Sequence, residues 1–193
     1  MEKRDVVVLI GSLRKAAFSR KTAQVLMELA PPALQMELVE IGDLPLYNQD
    51  LDPGPEGNPQ NPPETWANFR QRIKKADAIL FVTPEYNRSV PAALKNAVDV
   101  GSRPPKDNVW TQKPAAVVSV TPGSLGAFGA NHHLRQSLMA VNLRVLPQPE
   151  IYLAGAGKLF DENGKLLNDQ TRELLAKFMT AFAEWIELTG RKV

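Results

Sequence analysis

Five short, almost wholly apolar runs, each followed by a stretch with helical spacing, limit what this chain can fold into more than any other feature. The runs are Asp5–Ile10, Met36–Glu40, Ala78–Val82, Ala115–Val120 and a broken one around Arg144–Leu153. Apolar character along the whole run is what a parallel strand needs when helices cover both faces of its sheet. The intervening helical patterns fall at Ser19–Ala30, Thr65–Ala76, Pro91–Val100, Ala130–Val141 and Thr171–Leu188. In the last, Leu174, Leu175, Phe178, Met179, Phe182, Trp185 and Ile186 fall on one face, the stripe of a helix packed on a core. Strand and helix in strict alternation predict an α/β chain.

Five such units predict a three-layer, flavodoxin-like fold with a five-stranded parallel sheet of order 2-1-3-4-5, the order being that of the fold class. A length of 193 residues suits a single domain over residues 1–193. One segment breaks the rhythm: Asn48 to Pro63 is crowded with proline and is expected to be a long loop, either a lid or interface arm or a plain surface loop.

Composition narrows the chemistry. There is no cysteine, which removes disulfides, thiolate nucleophiles, iron–sulfur clusters and thiolate zinc sites. Redox chemistry would have to be carried by a borrowed group. His132 and His133 are adjacent, so on a helix they point about 100° apart and cannot grip one metal together; no metal site is expected. Lysine and arginine exceed the acids by 23 − 21 = +2, too little and too interspersed for a nucleic-acid surface. No run approaches the roughly 18 residues of a membrane span. The start of the chain runs directly into Val6-Val7-Val8-Leu9-Ile10, read as a first strand of a cytoplasmic protein.

In a parallel sheet all strands end at one edge, so the loops after strands one, three and four meet there, where ligands bind. The first loop, Gly11 to Lys21, fits neither GxGxxG nor GxxxxGK[ST]. It gathers Arg14, Lys15, Arg20 and Lys21 with no acid among residues 12–21, where a helix begins. A helix N-terminus favours negative charge, so cations there call for a bound anion. Ser12 and Ser19 can donate hydroxyls, and Arg14 can fork onto phosphate oxygens; the plain alternative makes Ser19 an N-cap and the arginines solvated. The second loop, Thr83 to Pro91, is stiffened by Pro84 and Pro91 and holds Glu85, Tyr86 and Asn87 at the ligand edge, able to face a flat heterocycle. The third, Thr121 to Gly129, carries Gly123, Gly126 and Gly129, which either line a ligand closely or merely punctuate turns. A phosphate cradle, a polar aromatic shelf and a glycine wall together describe a mononucleotide with a planar ring, and FMN fits.

At these residues the chain resembles the NADPH-dependent FMN reductase family, in particular its chromate and quinone reductase branch. The matching pieces are Gly11-Ser12-Leu13-Arg14-Lys15, Ile41-Gly42-Asp43-Leu44-Pro45-Leu46-Tyr47, Thr83-Pro84-Glu85-Tyr86-Asn87 with Ser89-Val90-Pro91, Leu94-Lys95-Asn96-Ala97, and His133-Leu134-Arg135-Gln136. The resemblance implies that Ser12, Arg14, Ser19 and Arg20 form the phosphate end of an FMN site, with Pro84, Glu85, Tyr86, Asn87 and Gly123 bordering the isoalloxazine. It implies no catalytic side chain. NADPH or NADH would give a hydride to flavin N5 in a ping-pong cycle, and a small-molecule acceptor (quinone, free flavin, azo compound or chromate) would take the electrons. It further implies a homodimer, with a homotetramer as the alternative. The pattern departs at Ala17 and Ser19, where the family commonly has serine and asparagine. The competing reading is a flavodoxin-like electron carrier or flavin sensor that never meets a nicotinamide. Arg88, beside the shelf, could attract the 2′-phosphate of NADPH or could be surface decoration.

Overall fold

The alternation in the sequence becomes a single twisted sheet. The computed structural model describes residues 3–52 and 62–190. Its strands are β1 (Arg4–Ile10), β2 (Leu34–Leu38), β3 (Ala78–Thr83), β4 (Pro114–Val120), β5 (Arg144–Val145) and β6 (Ile151–Leu153). The helices are α1 (Phe18–Glu28), α2 (Glu64–Lys75), α3 (Ala92–Gly101), α4 (Phe128–Ala140) and α5 (Asp169–Thr189). All pairings are parallel, in the order β2-β1-β3-β4-β5, as the fold class predicts.

The fifth lane of the sheet is split, giving six strands where five are expected. Arg144 and Val145 pair with Pro114 and Ala115, whereas Ile151 to Leu153 pair with Val118 to Val120 further along β4. Between them stand Pro147 and Pro149, which lack the N–H that a continuous ladder requires. The broken run seen in the sequence is thus two short strands in one lane.

Alternation along β1 divides the core. Val6, Val8 and Ile10 pack with α1 and α5, while Val7 and Leu9 pack with α2, α3 and α4. On α5 the buried stripe is Leu175, Phe178, Met179, Phe182 and Ile186, and Asn168 caps its start by accepting the Thr171 N–H. Leu174, expected in that stripe, is exposed; it lies at the margin of the arc, where the helix turns from the sheet. Trp185 is only partly buried and donates its indole N–H to the Arg144 carbonyl.

The proline-rich segment opens with a 3-10 turn at Gln49–Leu51, so its first residues are more regular than expected. Its remainder, residues 53–61, lies outside the described residues. Arg70 fastens the start of this segment: it forms two 2.8 Å hydrogen bonds to the Asp52 carboxylate and a third to the Val100 carbonyl.

Candidate functional site

The site is assembled at the carboxyl edge of the sheet. Gly11 directly follows β1, and its N–H reaches the Val82 carbonyl of β3. A Cβ at Gly11 would lie 3.0 Å from Pro84 Cδ, so glycine lets the first and second loops close on each other. Ser12 follows, buried, with its Oγ 3.2 Å from the Tyr86 hydroxyl and accepting the Arg14 N–H. Thus Ser12 and Tyr86, 74 positions apart, meet at one point.

At the start of α1 the cap residue is Ala17, which supplies no side-chain hydrogen bond. The plain reading of Ser19 as N-cap therefore does not hold: Ser19 sits inside the first turn. It is 1% exposed, and its Oγ has no hydrogen-bond partner among the described residues. Thr22, three residues on, is equally buried and its Oγ1 is equally unpartnered. The first N–H groups of a helix also lack intrahelical partners. A buried hydroxyl without a partner costs about 1–3 kcal/mol, and an acceptor-rich group placed there would recover it. A phosphate suits this donor set.

The four cations of the first loop separate. Arg20 forms a 2.8 Å ion pair with Glu40, and Lys21 donates to the Asp161 carbonyl at 3.0 Å. Parallel pairing of β1 with β2 brings Glu40, just past β2, beside α1, and supplies the acid that the local sequence lacks, while Arg20 Nε stays buried without a hydrogen-bond partner among the described residues. Arg14 and Lys15 are exposed and enter no ion pair among the described residues.

In the second loop, Tyr86 and Ser89 exchange backbone hydrogen bonds of 3.1 and 3.0 Å around Asn87 and Arg88. Both central residues have positive φ, 50° and 65°, which makes this a primed two-residue turn. Asparagine tolerates that region; arginine is strained there by about 1–2 kcal/mol. Tyr86 and Asn87 are exposed and Pro84 partly so. The Glu85 side chain has a task within the protein. Its carboxylate accepts the Ala130 N–H at 3.0 Å and so caps α4, whose own cap residue Ala127 offers no side chain. That electrostatic fit to a helix N-terminus holds the carboxylate against α4.

The glycines of the third loop have different reasons. A Cβ at Gly126 would lie within 3 Å of Tyr152 backbone, and one at Gly129 would lie 2.7 Å from the Arg88 carbonyl oxygen. Both are explained by internal packing. Gly123 would meet only Thr121 atoms, at 3.6 Å or more, and is exposed; it is the one whose open face suits a ligand. A buried network that sequence reasoning missed fixes this loop: Ser119 Oγ donates to the Gly126 carbonyl at 2.7 Å and accepts from Asn131, whose carbonyl accepts from Arg135. Another missed fastener is Asn96, which accepts the Tyr47 N–H and donates to the Leu44 and Pro45 carbonyls, holding the segment before the proline-rich stretch. The sequence signal for both was a polar residue within an apolar stretch, Ser119 in β4 and Asn96 in α3.

The histidines part company, as adjacent helical positions must. His133 Nδ1 lies 3.0 Å from Ser89 Oγ, while His132 Nε2 lies 3.0 Å from the Tyr152 hydroxyl. Phe128 leans at a tilt against His132, 4.2 Å between centroids, and against Tyr152 at 5.4 Å. Burial, reinforced by Glu150, pushes the Tyr152 phenol up to about 12, so it remains a protonated donor.

Comparison with known proteins agrees with this geometry. The profile of the NADPH-dependent FMN reductase family matches residues 4–158. The chain is 55% identical over 184 residues to a quinone reductase of Pseudomonas putida, covering 95% of each. It is 39% identical over 181 residues to a 2-hydroxy-1,4-benzoquinone reductase of a Burkholderia species, covering 94% of this chain and 95% of the relative. Among solved structures, FerB, a flavoenzyme NAD(P)H:(acceptor) oxidoreductase from Paracoccus denitrificans, superposes with a TM-score of 0.87 at 38% identity, covering 97% of this chain and all of the other.

Proposed function

The chain belongs to the NADPH-dependent FMN reductase family, and from that premise we propose that it is a quinone reductase that binds FMN at the carboxyl edge of its sheet and uses NADPH or NADH as co-substrate. When bound, FMN supplies hydride acceptance at N5 and onward two-electron transfer to a second substrate that follows the nicotinamide at the same face. The observation that carries the assignment of the site is the Ser19 hydroxyl, buried and without a partner in the first turn of α1. Ser19 and the free N–H groups beside it would take the phosphate, and Arg14, exposed and free of any ion pair among the described residues, would close over it. Ser12 and Tyr86 hold the first and second loops together at the base of the ring site. Pro84, the Asn87 turn and Gly123 would border the ring, with Glu85 acting through its main chain.

No side chain is assigned a covalent or acid–base step; these residues bind, orient and exclude water. Free flavin, azo compounds and chromate join quinones as proposed acceptors, since an open shelf over a planar ring discriminates poorly among them. The same reading makes the protein a cytoplasmic homodimer, with a homotetramer as the alternative. Its support is the use of an intracellular reductant and the exposed apolar side chains Leu13, Leu46 and Leu125. Among the described residues no helix is long and apolar enough to cross a membrane.

The test is spectroscopic. The FMN-loaded protein is expected to lose its yellow absorbance on anaerobic addition of NADPH and to regain it with a benzoquinone. Colour that persists under NADPH would refute the assignment.

A further inference from the structure

Next to the flavin shelf the structure builds a surface that the electron-transfer reading does not use. Arg88 is held at φ 65°, and its side chain is 73% exposed, with one weak ion pair among the described residues, to Glu85 at 3.8 Å. Its carbonyl lies where only a glycine at 129 allows it, 2.7 Å from the place a Cβ would occupy. The residue before that glycine is Phe128, 52% exposed despite its size. Phe128 is backed by His132 at 4.2 Å and Tyr152 at 5.4 Å, so its ring is positioned from beneath and open above. Ser89, next to Arg88, is tied to α4 through His133, which fixes the turn on the helix that carries Phe128.

An exposed, supported aromatic ring favours stacking with a flat heterocycle. A guanidinium with little other engagement favours a phosphate, to which it can bond through two nitrogens. A strained non-glycine turn that aims such a group at solvent is what a ligand clamp stores. The two features are joined by the close contact of Gly129 with Arg88, and together they match an adenine whose ribose carries a phosphate.

Resting on the reductase reading, we infer that Phe128 and Arg88 form the subsite for the adenosine 2′-phosphate end of NADPH, with Phe128 taking the adenine and Arg88 selecting the phosphorylated coenzyme.

Adenosine 2′,5′-bisphosphate and 5′-AMP probe this directly. Calorimetric titration of the FMN-loaded protein should show the bisphosphate binding more tightly, with Arg88→Ala removing most of that advantage and Arg88→Lys retaining part of it. In anaerobic reduction, Arg88→Ala should lower the preference for NADPH over NADH by about tenfold, the scale of one charge-assisted contact. Phe128→Ala should weaken both coenzymes alike. Should Arg88→Ala fold poorly, Arg88→Gly, which suits a positive φ, carries the same test. An unchanged coenzyme preference, or equal binding of the two adenosine phosphates, would overturn the subsite. Failure of both coenzymes to reduce the flavin is a separate outcome, which overturns the reductase reading and removes the subsite with it.

Discussion

Arg70 and Ser19 are both buried polar residues on helices that flank the sheet, and they are treated in opposite ways. Arg70 is fully engaged: Asp52 takes both terminal nitrogens, the Val100 carbonyl takes Nε, and the guanidinium carbon lies 5.6 Å from the Trp66 ring. Ser19 is at least as deeply buried and its hydroxyl has no hydrogen-bond partner among the described residues, and Thr22 beside it shares that condition. A buried ion pair with all three guanidinium nitrogens hydrogen-bonded is finished structure, strongly destabilising to break from one side. Buried hydroxyls without partners are a cost to the free protein and mark the place where a ligand completes the hydrogen bonding. The fold closes the Arg70 corner on itself and leaves the hydroxyls of Ser19 and Thr22 over on α1.

Substitution should separate the two corners. The largest effect is expected at the finished one: Arg70→Ala should cost about 3–5 kcal/mol of stability in urea unfolding, because the Asp52 carboxylate is left buried and alone. Replacing both partners together by apolar residues of similar volume should recover most of that loss. At the other corner, Ser19→Ala should reverse the pattern, leaving stability unchanged or slightly higher while weakening FMN by about tenfold, the value of one hydrogen bond to a charged group. Equal loss of stability in the two variants would erase the distinction between the corners. A smaller effect sharpens it by pH. The Tyr152 phenol is raised from 10.0 to about 12 in the fold, so the folded state prefers its protonated form. Its contribution is therefore fully present below pH 10 and lost as pH rises toward about 12. Melting temperatures of the protein and of Tyr152→Phe should converge across that window.

Much of this was legible in the chain. The five apolar runs gave the layers and the parallel sheet, whose strand order is that of the fold class, while the division of the broken fifth run into two strands came from the structure. Ser12, Ser19, Tyr86 and Gly123 were singled out by residue type at the ends of runs, and the structure brings Ser12 against Tyr86 while leaving Ser19 buried and unpartnered and Gly123 open. Other features come only from distant neighbours. No acid lies near Arg20 in sequence, yet Glu40 reaches it from just past the neighbouring strand. The Glu85 side chain caps α4, while its main chain is left to the shelf. Of the two readings open for Gly126 and Gly129, internal packing accounts for both, against Tyr152 and Arg88.

The sequence by itself determined the period of its strands and helices, the absence of thiol chemistry and the loops that must share an edge, because these depend on neighbours along the chain. Tertiary structure alone decided which polar groups of those loops are satisfied and which are left over. A charge or a hydroxyl is neutralised by whatever the fold carries next to it, from 20 residues away for Glu40 and Arg20, or from 45 for Glu85 and Ala130, and such distances leave no local signature.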